Sequence, residues 1–182
     1  MTVITTERLI LRDWTDEAAD LARIYDIYSR ADVTRWLNVV GLPMSDPSQA
    51  AERLRFWQER HAGDQGRYGT WAIEVRETGV VAGTALLKPL PGRDESQLTD
   101  DIEVGWHLHP DSWGHGYATE AARALIVREF ATGTSEIYAV VSPGNEPSMA
   151  VCRRLGMEHV GQRTDWYGGE VLETFVLAAP AA

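Results

Sequence analysis

The fold is decided by the stretch from Asp101 to Ala131, which reads DIEVGWHLHPDSWGHGYATEAARALIVREFA. Its first part, Ile102–Leu108, alternates branched or aromatic residues with others at a period of two, and this pattern predicts a strand. Pro110 ends that strand, because proline has no N–H group to donate to a sheet. From Tyr117 onward apolar residues recur at helical spacing, which predicts a helix. A strand, a short turn and a helix therefore form the centre of the predicted fold.

The turn between this strand and this helix consists of Trp113, Gly114, His115, Gly116, Tyr117 and Ala118. Glycine lets backbone N–H groups come close to a ligand, and the start of a helix carries a positive dipole. A strand, a tight glycine turn and a helix together predict a cradle for pyrophosphate. Gly-x-Gly alone is also typical of an ordinary strand–helix connection. Two other phosphate-binding patterns are excluded, since no third glycine follows nearby and no Gly-Lys-Ser/Thr occurs.

Size and composition bound the class of protein. The chain has 182 residues, of which 44% are hydrophobic and seven are Trp, and this favours one packed domain spanning residues 1–182 over a disordered chain. No apolar run is long enough to span a membrane and the N-terminus does not resemble a signal peptide, so we expect a soluble cytoplasmic protein without a membrane partner. A single cysteine, Cys152, excludes an internal disulfide and a Cys-rich zinc site.

The charge balance is acidic, with 17 Lys and Arg against 27 Asp and Glu and a formal net charge of −10. Nucleic-acid binding depends on a basic surface, so it is disfavoured here. An acidic surface suits a positively charged substrate, but it is more often a solubility feature. No two of the five His enclose a carboxylate at i,i+4 spacing, and no metal is expected.

The elements on either side follow from periodicity and turn residues. Further strands are predicted at residues 6–12, 70–75, 80–88, 135–141, 160–166 and 171–177. Helices are predicted from Asp16 as the N-cap to about residue 29, from Asp46-Pro47 onward, and over 145–155. Residues 88–100 are expected to form a long loop, and 33–44 a loop or short helix beside the substrate. This order predicts a mixed α/β sheet of about seven strands with helices on both faces.

The central turn resembles the acetyl-CoA loop of the GNAT acetyltransferase superfamily, Gln/Arg-x-x-Gly-x-Gly/Ala. Gly116 and Ala118 match its last two fixed positions, whereas Trp113 stands in place of Gln or Arg. The sequence WGHGYATEA is close to the version in the ribosomal-protein N-terminal acetyltransferase branch, and the opening TERLILR is similar to that branch too. Residues 145–157 resemble a second family segment, Asn-x-x-Ser/Ala…Leu-Gly-Phe. The order of elements agrees with this family along the whole chain.

This resemblance implies a GNAT fold that uses acetyl-CoA as the acetyl donor and needs no metal. The fourth and fifth strands would splay apart near the thioester, and the backbone of Trp106, His107 and Leu108 would hydrogen-bond the pantetheine like an added strand. The turn at 113–118 would bind the pyrophosphate. Asn145 would contact the pantetheine arm, although a plain helix N-cap at that position is an equal interpretation.

Acetyl transfer needs two proton transfers, since the attacking ammonium must lose a proton and the departing thiolate benefits from gaining one. Glu103, in the central strand, is the candidate base, acting directly or through a water. The alternative is a half-buried carboxylate held in an ion pair. Asp101 lies on the same face of the strand and is the second candidate base. A structural role is expected for His107.

For the acid, the ribosomal-protein branch implies Ser148 as the donor to the thiolate, with an ordinary first-turn helix residue as the alternative. Many GNAT enzymes place a Tyr at the position of Cys152, so this sequence departs from the family pattern there. Cys152 is not expected to act as a nucleophile, because no Cys–His–carboxylate arrangement is visible.

The sequence therefore predicts an acetyl-CoA-dependent N-acetyltransferase in which the amine attacks directly in a ternary complex. The acceptor is a primary amine, either a protein N-terminal amine, as the branch resemblance implies, or a small amine such as an antibiotic or a polyamine. A protein of another class, a CoA-binding regulator without turnover, is the alternative. Both a monomer and a homodimer agree with the sequence.

The walls of the acceptor site are expected in the two irregular segments 33–44 and 166–170, since loops tune specificity on a fixed scaffold. Three aromatic and two acidic side chains in or near these segments are candidates for contact with the acceptor: Trp36, Trp166, Tyr167, Glu170 and Glu173. Each of them is equally compatible with an ordinary place in the core or on the surface.

Overall fold

The computed structural model describes residues 3–37 and 42–180. The strands are β1 (Ile4–Thr5), β2 (Leu9–Asp13), β3 (Gly69–Val75), β4 (Val81–Pro91), β5 (Leu98–Leu108), β6 (Glu136–Val141), β7 (Glu158–Arg163) and β8 (Leu172–Ala178). The helices are α1 (Ala18–Tyr28), α2 (Ala31–Thr34), α3 (Gln49–Arg60), α4 (Tyr117–Phe130) and α5 (Glu146–Arg154). Short 3-10 turns lie at Pro110–Ser112 and Tyr167–Gly169.

The strands form one eight-stranded sheet in the order β1-β2-β3-β4-β5-β6-β8-β7. All neighbours are antiparallel except β5 and β6, which run parallel. A parallel neighbour requires a crossover connection, and α4 supplies it. The mixed α/β sheet predicted from the sequence is therefore confirmed, and the two-residue strand β1 makes it one strand larger than expected.

Helices cover both faces of the sheet, as predicted. On one face α4 packs through the small and aliphatic residues that define its helical pattern, all of them buried: Ala118, Ala121, Ala122, Leu125 and Ile126. The alanines let the helix axis approach the sheet closely, because they project only a methyl group. On the other face α1, α2 and α3 bury a second cluster that includes Ile24, Tyr28 and Leu54.

A clasp of hydrogen bonds joins the start of the chain to the first turn of α4. The Glu120 carboxylate accepts from Thr6 Oγ1 at 2.6 Å, from Arg8 N at 2.8 Å and from Arg8 Nε at 2.6 Å. The same Arg8 donates from Nη1 to the carbonyl of His115 at 2.9 Å. The clasp fixes the turn before α4 against the edge of the sheet.

The predicted loop at 88–100 is wrong. β4 continues to Pro91 and β5 begins at Leu98, with Pro91 paired to Leu98, so only residues 92–97 connect the two strands. Pro89 and Pro91 make the segment look like a loop because proline cannot donate to a ladder. The register shifts between these two residues, and that irregularity lets the strand continue.

Two helix starts also differ from the prediction. α1 begins at Ala18 without any side-chain cap, so the predicted N-cap role of Asp16 is wrong. α3 begins at Gln49, because Asp46 accepts hydrogen bonds from the backbone and hydroxyl of Ser48 and holds a local turn before the helix. β7 ends at Arg163 instead of reaching residue 166. Residues 38–41 of the predicted 33–44 segment lie outside the described residues.

The acidic residue that organises the start of α1 is Asp20, which is 5% exposed. Its carboxylate accepts from Arg12 Nη1 at 2.8 Å and Nη2 at 2.9 Å, and from Thr15 N at 2.8 Å and Oγ1 at 3.0 Å. Burial alone would raise the pKa of Asp20, but the bonds from Arg12 and Thr15 outweigh burial and lower the pKa below its ordinary value. The charged carboxylate therefore stabilises the fold.

We expect Asp20→Asn to lower the free energy of unfolding by about 2–4 kcal/mol at pH 7, because it removes one partner of a buried, bidentate ion pair. Since the pKa is lower in the folded chain, the contribution is complete above the unfolded pKa of about 4 and is lost as the pH falls through the folded value. The free energies of unfolding of the wild type and Asp20→Asn, measured with urea, should therefore become equal in strong acid. Asp16→Asn is the control and should change little; an equal loss in both variants would contradict the assignment.

Candidate functional site

The parallel pair β5 and β6 stays together over only two residue pairs, Ile102–Ile137 and Glu103–Tyr138. Beyond these pairs β5 continues to Leu108 and β6 to Val141 with no pairing between them. The strands splay apart towards their carboxyl ends, as the family resemblance implied. The gap therefore opens just after Glu103.

The predicted pantetheine-binding segment lies along this gap. On one side Trp106, His107 and Leu108 pair with Ala85, Thr84 and Gly83 of β4. On the other side, within the described residues, no strand pairs with this segment. Its backbone therefore forms a strand edge to which an extended ligand can add like a further strand, except that the Leu108 carbonyl accepts from Trp113 Nε1 at 3.0 Å.

The turn at 113–118 leads from the end of β5 to the start of α4. Gly114 and Gly116 have φ values of +80° and +79°, a backbone conformation that favours glycine. Gly116 is the N-cap of α4, and the helix has no side-chain cap. The first hydrogen bond of the helix runs from Glu120 N to Gly116 O at 3.1 Å. The N–H groups before it form the kind of site at which a helix start binds an anion.

Aromatic rings and a cation stand beside this turn. The rings of His115 and Tyr117 stack at 5.3 Å, and the Arg8 guanidinium lies 5.3 Å from the centre of the Tyr117 ring. Sequence reasoning missed Arg8, which it treated only as part of a strand. No local signal could identify its role, because its partner Glu120 lies more than a hundred positions away along the chain.

The predicted residues of α5 have ordinary helical contacts. Asn145 is buried, and its Oδ1 accepts from the backbone N–H of Ser148 at 3.3 Å, which is the geometry of an N-cap. Ser148 is half-buried in the first turn of α5. Cys152 is fully buried, and burial raises the pKa of its thiol to about 12. A thiol with that pKa is not a thiolate near neutral pH, so Cys152 is unsuited to act as a nucleophile.

A cavity of about 770 Å³ meets the gap between the splayed strands. Glu103 and His107 of β5 line it, and so do Val140 and Ser142, which lie on or just after β6 beyond its last pair with β5. Of the side chains predicted to contact the acceptor, three line this cavity: Trp36, Tyr167 and Glu170. The cavity and the free edge of β5 therefore share one opening.

Two other predicted contacts lie outside the cavity. Trp166 is 1% exposed and donates from its indole to Asp101 at 2.9 Å, so both residues are occupied with each other. Glu173 accepts from the ring of His159 at 2.7 Å and from Gln162 at 2.9 Å. These bonds explain why neither Trp166 nor Glu173 faces an acceptor.

Glu103 is the centre of a buried cluster with Lys88 and Tyr167. It is 7% exposed, and its Oε2 accepts from the Tyr167 hydroxyl at 2.5 Å and lies 3.1 Å from Lys88 Nζ. Lys88 Nζ also donates to the Tyr167 hydroxyl at 2.7 Å. Burial, followed by the charge of Glu103, raises the pKa of Tyr167 well above its ordinary value, so the phenol stays protonated.

Tyr167 and Lys88 engage the same oxygen of Glu103, Oε2. Its Oε1 has no hydrogen-bond partner among the residues that the structure describes. The ion pair foreseen as the alternative role of Glu103 is thus present, and a second oxygen remains for an acceptor or a water. Lys88 and Tyr167 were not predicted as its partners. The sequence offered one indication that Lys88 is unusual, because it is the only Lys of the chain.

His107 is held in a neutral form. Its Nδ1 lies 3.0 Å from the Tyr28 hydroxyl, which donates to Thr84 Oγ1 at 3.1 Å. Burial, together with the nearby charges of Arg53 and Lys88, lowers the pKa of His107 to about 4. These contacts agree with the structural role expected for this residue.

Over residues 3–37 and 42–180, no group of three or more His, Cys, Asp or Glu side chains is arranged to hold a metal ion. None of the helices in the same part of the chain has the length and the apolar character needed to cross a membrane.

Comparison with known proteins gives the same family that the sequence resembles. Residues 8–158 match the family model described as the acetyltransferase (GNAT) domain. The chain is 30% identical over 167 residues to the uncharacterized N-acetyltransferase p20 of Bacillus licheniformis, with 91% of this chain and 88% of that protein covered.

Two solved structures show the same fold. One is RimL, a ribosomal L7/L12 alpha-N-protein acetyltransferase in complex with coenzyme A, with a TM-score of 0.74, 14% identity and coverage of 97% of this chain and 98% of RimL. The other is the spermidine N-acetyltransferase of Vibrio cholerae in complex with CoA and spermine, with a TM-score of 0.69, 14% identity and coverage of 96% and 97%. At these identities the two structures support the fold alone.

We expect acetyl-CoA to raise the melting temperature of the wild-type chain by mass action, and Gly116→Val to abolish that rise. A branched side chain at φ +79° strains the turn and blocks the approach of phosphate to its N–H groups. Gly133→Val is the matched control, because Gly133 follows the other end of α4 with a φ of +94° and open space around it. An undiminished shift in Gly116→Val would refute the placement of the phosphates.

Proposed function

Because the chain belongs to the GNAT acetyltransferase family and is therefore an acyltransferase, we propose that it moves the acetyl group of acetyl-CoA to a primary amine by direct attack in a ternary complex. The observation that carries this proposal is the shared opening of the cavity and the free edge of β5. A donor on the strand edge and an acceptor in the cavity meet there, and holding two reactants in line supplies a large part of the rate.

Three parts of the chain would hold the donor. The N–H groups of the turn at 113–118 would bind the pyrophosphate, with the dipole of α4 behind them. The free edge formed by Trp106, His107 and Leu108 would hydrogen-bond the pantetheine. Asn145 caps α5 through Oδ1 alone, and its side-chain NH2 group, which takes no part in the cap, would donate to the pantetheine arm.

We assign the base to Glu103. Lys88 and Tyr167 fix its Oε2, so the carboxylate cannot rotate freely, and Oε1 is left to take a proton from the incoming amine or from a bridging water. A base that is already oriented does not need to reorganise during the reaction. Ser148 is the proposed donor to the departing thiolate, because it stands in the first turn of α5, the helix that begins at Asn145.

The fold leaves the acceptor open. By their names, one of the solved structures acts on the alpha-amine of a ribosomal protein and the other on spermidine. A protein N-terminal amine and a small amine are therefore both compatible with this scaffold, and the side chains of the cavity must distinguish them.

The direct test of acetyl transfer is the release of thiol from acetyl-CoA in the presence of a panel of amines, with the acetylated amine identified by mass spectrometry. The panel includes free amino acids, amino acid amides, polyamines, aminoglycosides and short peptides with a free α-amino group. Binding of acetyl-CoA without thiol release for any amine would contradict the proposed function and favour a CoA-binding regulator.

We expect Glu103→Gln to lower kcat by about 10²- to 10⁴-fold, the range typical of a positioned base. The loss should grow as the pH falls, because a smaller fraction of the amine is then already deprotonated. The pH profile of kcat/KM measures this effect. Asp101→Asn is the control, since Asp101 lies on the same face but binds Trp166. Equal losses in the two variants, or a wild-type rate for Glu103→Gln, would remove Glu103 from the mechanism.

We expect Ser148→Ala to lower kcat by about tenfold or more while the Kd of acetyl-CoA changes little, because a donor to the leaving thiolate acts mainly in the transition state. Ser148→Thr keeps a hydroxyl at this position and should retain most of the rate. Steady-state kinetics and the binding of acetyl-CoA separate the two effects. An unchanged kcat in Ser148→Ala would leave Ser148 as a helix residue only.

A further inference from the structure

One wall of the cavity is a single face of α3. Six residues of this helix line the cavity at spacings of three and four positions: Gln49, Glu52, Arg53, Phe56, Trp57 and Arg60. Arg55 lies on the same helix, but it points to solvent and does not line the cavity. The helix therefore presents both aromatic rings and cations to whatever the cavity binds.

Arg53 is a partly buried cation without a counter-ion. Its guanidinium lies 5.7 Å from the centre of the Tyr28 ring, and burial lowers its pKa. Among residues 3–37 and 42–180, no carboxylate comes within 4.0 Å of it, whereas Lys88 and Arg12 are both paired with carboxylates. Because a buried charge is costly unless it is paired, this cation favours an anion from the ligand.

Arg53 stands on the side of the cavity that borders β5. Its guanidinium lies beside the Tyr28 ring, and the Tyr28 hydroxyl is 3.0 Å from Nδ1 of His107 in β5. An anion bound to Arg53 would therefore lie near the point at which donor and acceptor meet.

An opposite charge without a partner stands on another wall. Glu170 lines the cavity, and its Oε2 is buried with no hydrogen-bond partner within the described part of the chain. It stands beside Tyr167, whose carbonyl accepts from Glu170 N at 3.2 Å and whose hydroxyl binds Glu103, so Glu170 and Glu103 lie on the same side of the cavity. Arg53 and Glu170 therefore face one cavity, each without an oppositely charged partner in the described part of the chain.

We propose that the acceptor is a small molecule with a carboxylate close to its primary amine, as in a free amino acid. This rests on the proposed acetyl transfer. The carboxylate pairs with Arg53, whose planar guanidinium suits two parallel hydrogen bonds, and the ammonium is received on the acidic side by Glu170 and Glu103. The aromatic side chains of Phe56 and Trp57 favour an acceptor with an apolar side chain.

The reaction balances on these groups. The ammonium first gives one proton to Glu103, which passes it to solvent. The neutral amine then forms the N–C bond to the acetyl carbon and the C–S bond breaks. Ser148 gives its hydroxyl proton to the departing sulfur and regains a proton as the nitrogen loses its second one. The products are the N-acetyl amino acid and free CoA, and the carboxylate stays on Arg53 throughout.

Other acceptors fit these charges less well. A polyamine would bring a cation next to Arg53 and leave it without a counter-ion. The α-amine of a peptide has an amide, not a carboxylate, at the neighbouring carbon. The net charge of −10 belongs to the chain as a whole and does not describe the cavity. Its lining nearly balances four carboxylates with three cations: Glu52, Glu95, Glu103 and Glu170 against Arg53, Arg60 and Lys88.

The test compares three related acceptors: L-phenylalanine, L-phenylalaninamide and phenethylamine. Each is measured on the plateau of its pH profile, so that differences in amine protonation cancel, and the other standard amino acids extend the panel. For the wild-type enzyme we expect kcat/KM to be about tenfold or more higher for the free amino acid than for the two partners that lack a carboxylate.

The matched variants are Arg53→Gln and Arg55→Gln, each checked for an unchanged melting temperature and acetyl-CoA affinity. We expect Arg53→Gln to raise the KM of the free amino acid by about 10- to 100-fold and that of the amide by less than about twofold. Arg55→Gln should change neither value. In Arg53→Lys the KM of the free amino acid should lie between the wild-type and Arg53→Gln values, because lysine restores the positive charge but not the two parallel N–H donors of arginine.

The outcomes separate the two levels of the proposal. No thiol release with any amine overturns acetyl transfer itself. Acetyl transfer that favours the amide, phenethylamine, spermidine or a peptide over every free amino acid overturns the carboxylate acceptor alone. An equal rise in KM for acid and amide in Arg53→Gln does the same. The comparison of acceptors by the wild-type enzyme needs no variant, so it decides the question even where a substitution perturbs folding.

Discussion

The whole site depends on the early end of the pairing between β5 and β6. Two strands that stayed paired to their ends would satisfy each other's backbone groups and close the sheet. Here the ladder stops after Glu103, so one strand edge is left without a partner strand and the cavity meets the gap. Exposed strand edges are normally protected in proteins. An edge at the bottom of a cleft is tolerated because a ligand can complete it.

The charges around this opening differ from the overall charge of the chain. The chain as a whole is acidic, yet its single Lys and two Arg of α3 stand in the cavity, and within the described residues only the Lys has a carboxylate partner. The ion pair of Lys88 with Glu103 fixes the carboxylate at the proposed reaction centre, while Arg53 is left for the proposed acceptor. On this proposal, ion pairing serves orientation in one place and selection in another.

The central strand, turn and helix could be predicted because their signals are local: a period of two, a pair of glycines and a period near 3.6 within one continuous stretch. The role of Glu103 could be predicted only in part. Its partners Lys88 and Tyr167 lie in other strands or loops, and their meeting depends on a register that no short window contains. The extension of β4 through Pro89 was missed for a related reason, since an irregular register overrode the local preference.

The clasp between Arg8 and Glu120 has a consequence for how the chain folds. The two residues are 112 positions apart, so the turn that precedes α4 becomes rigid only after the beginning of the chain has found its place beside the middle. Closing so long a loop costs entropy that local contacts do not repay, and such contacts form late. A nascent or truncated chain would have the glycine turn in its sequence but not in its binding shape. If the phosphates bind where we propose, ligand affinity at this turn would report completed folding as well as the local residues.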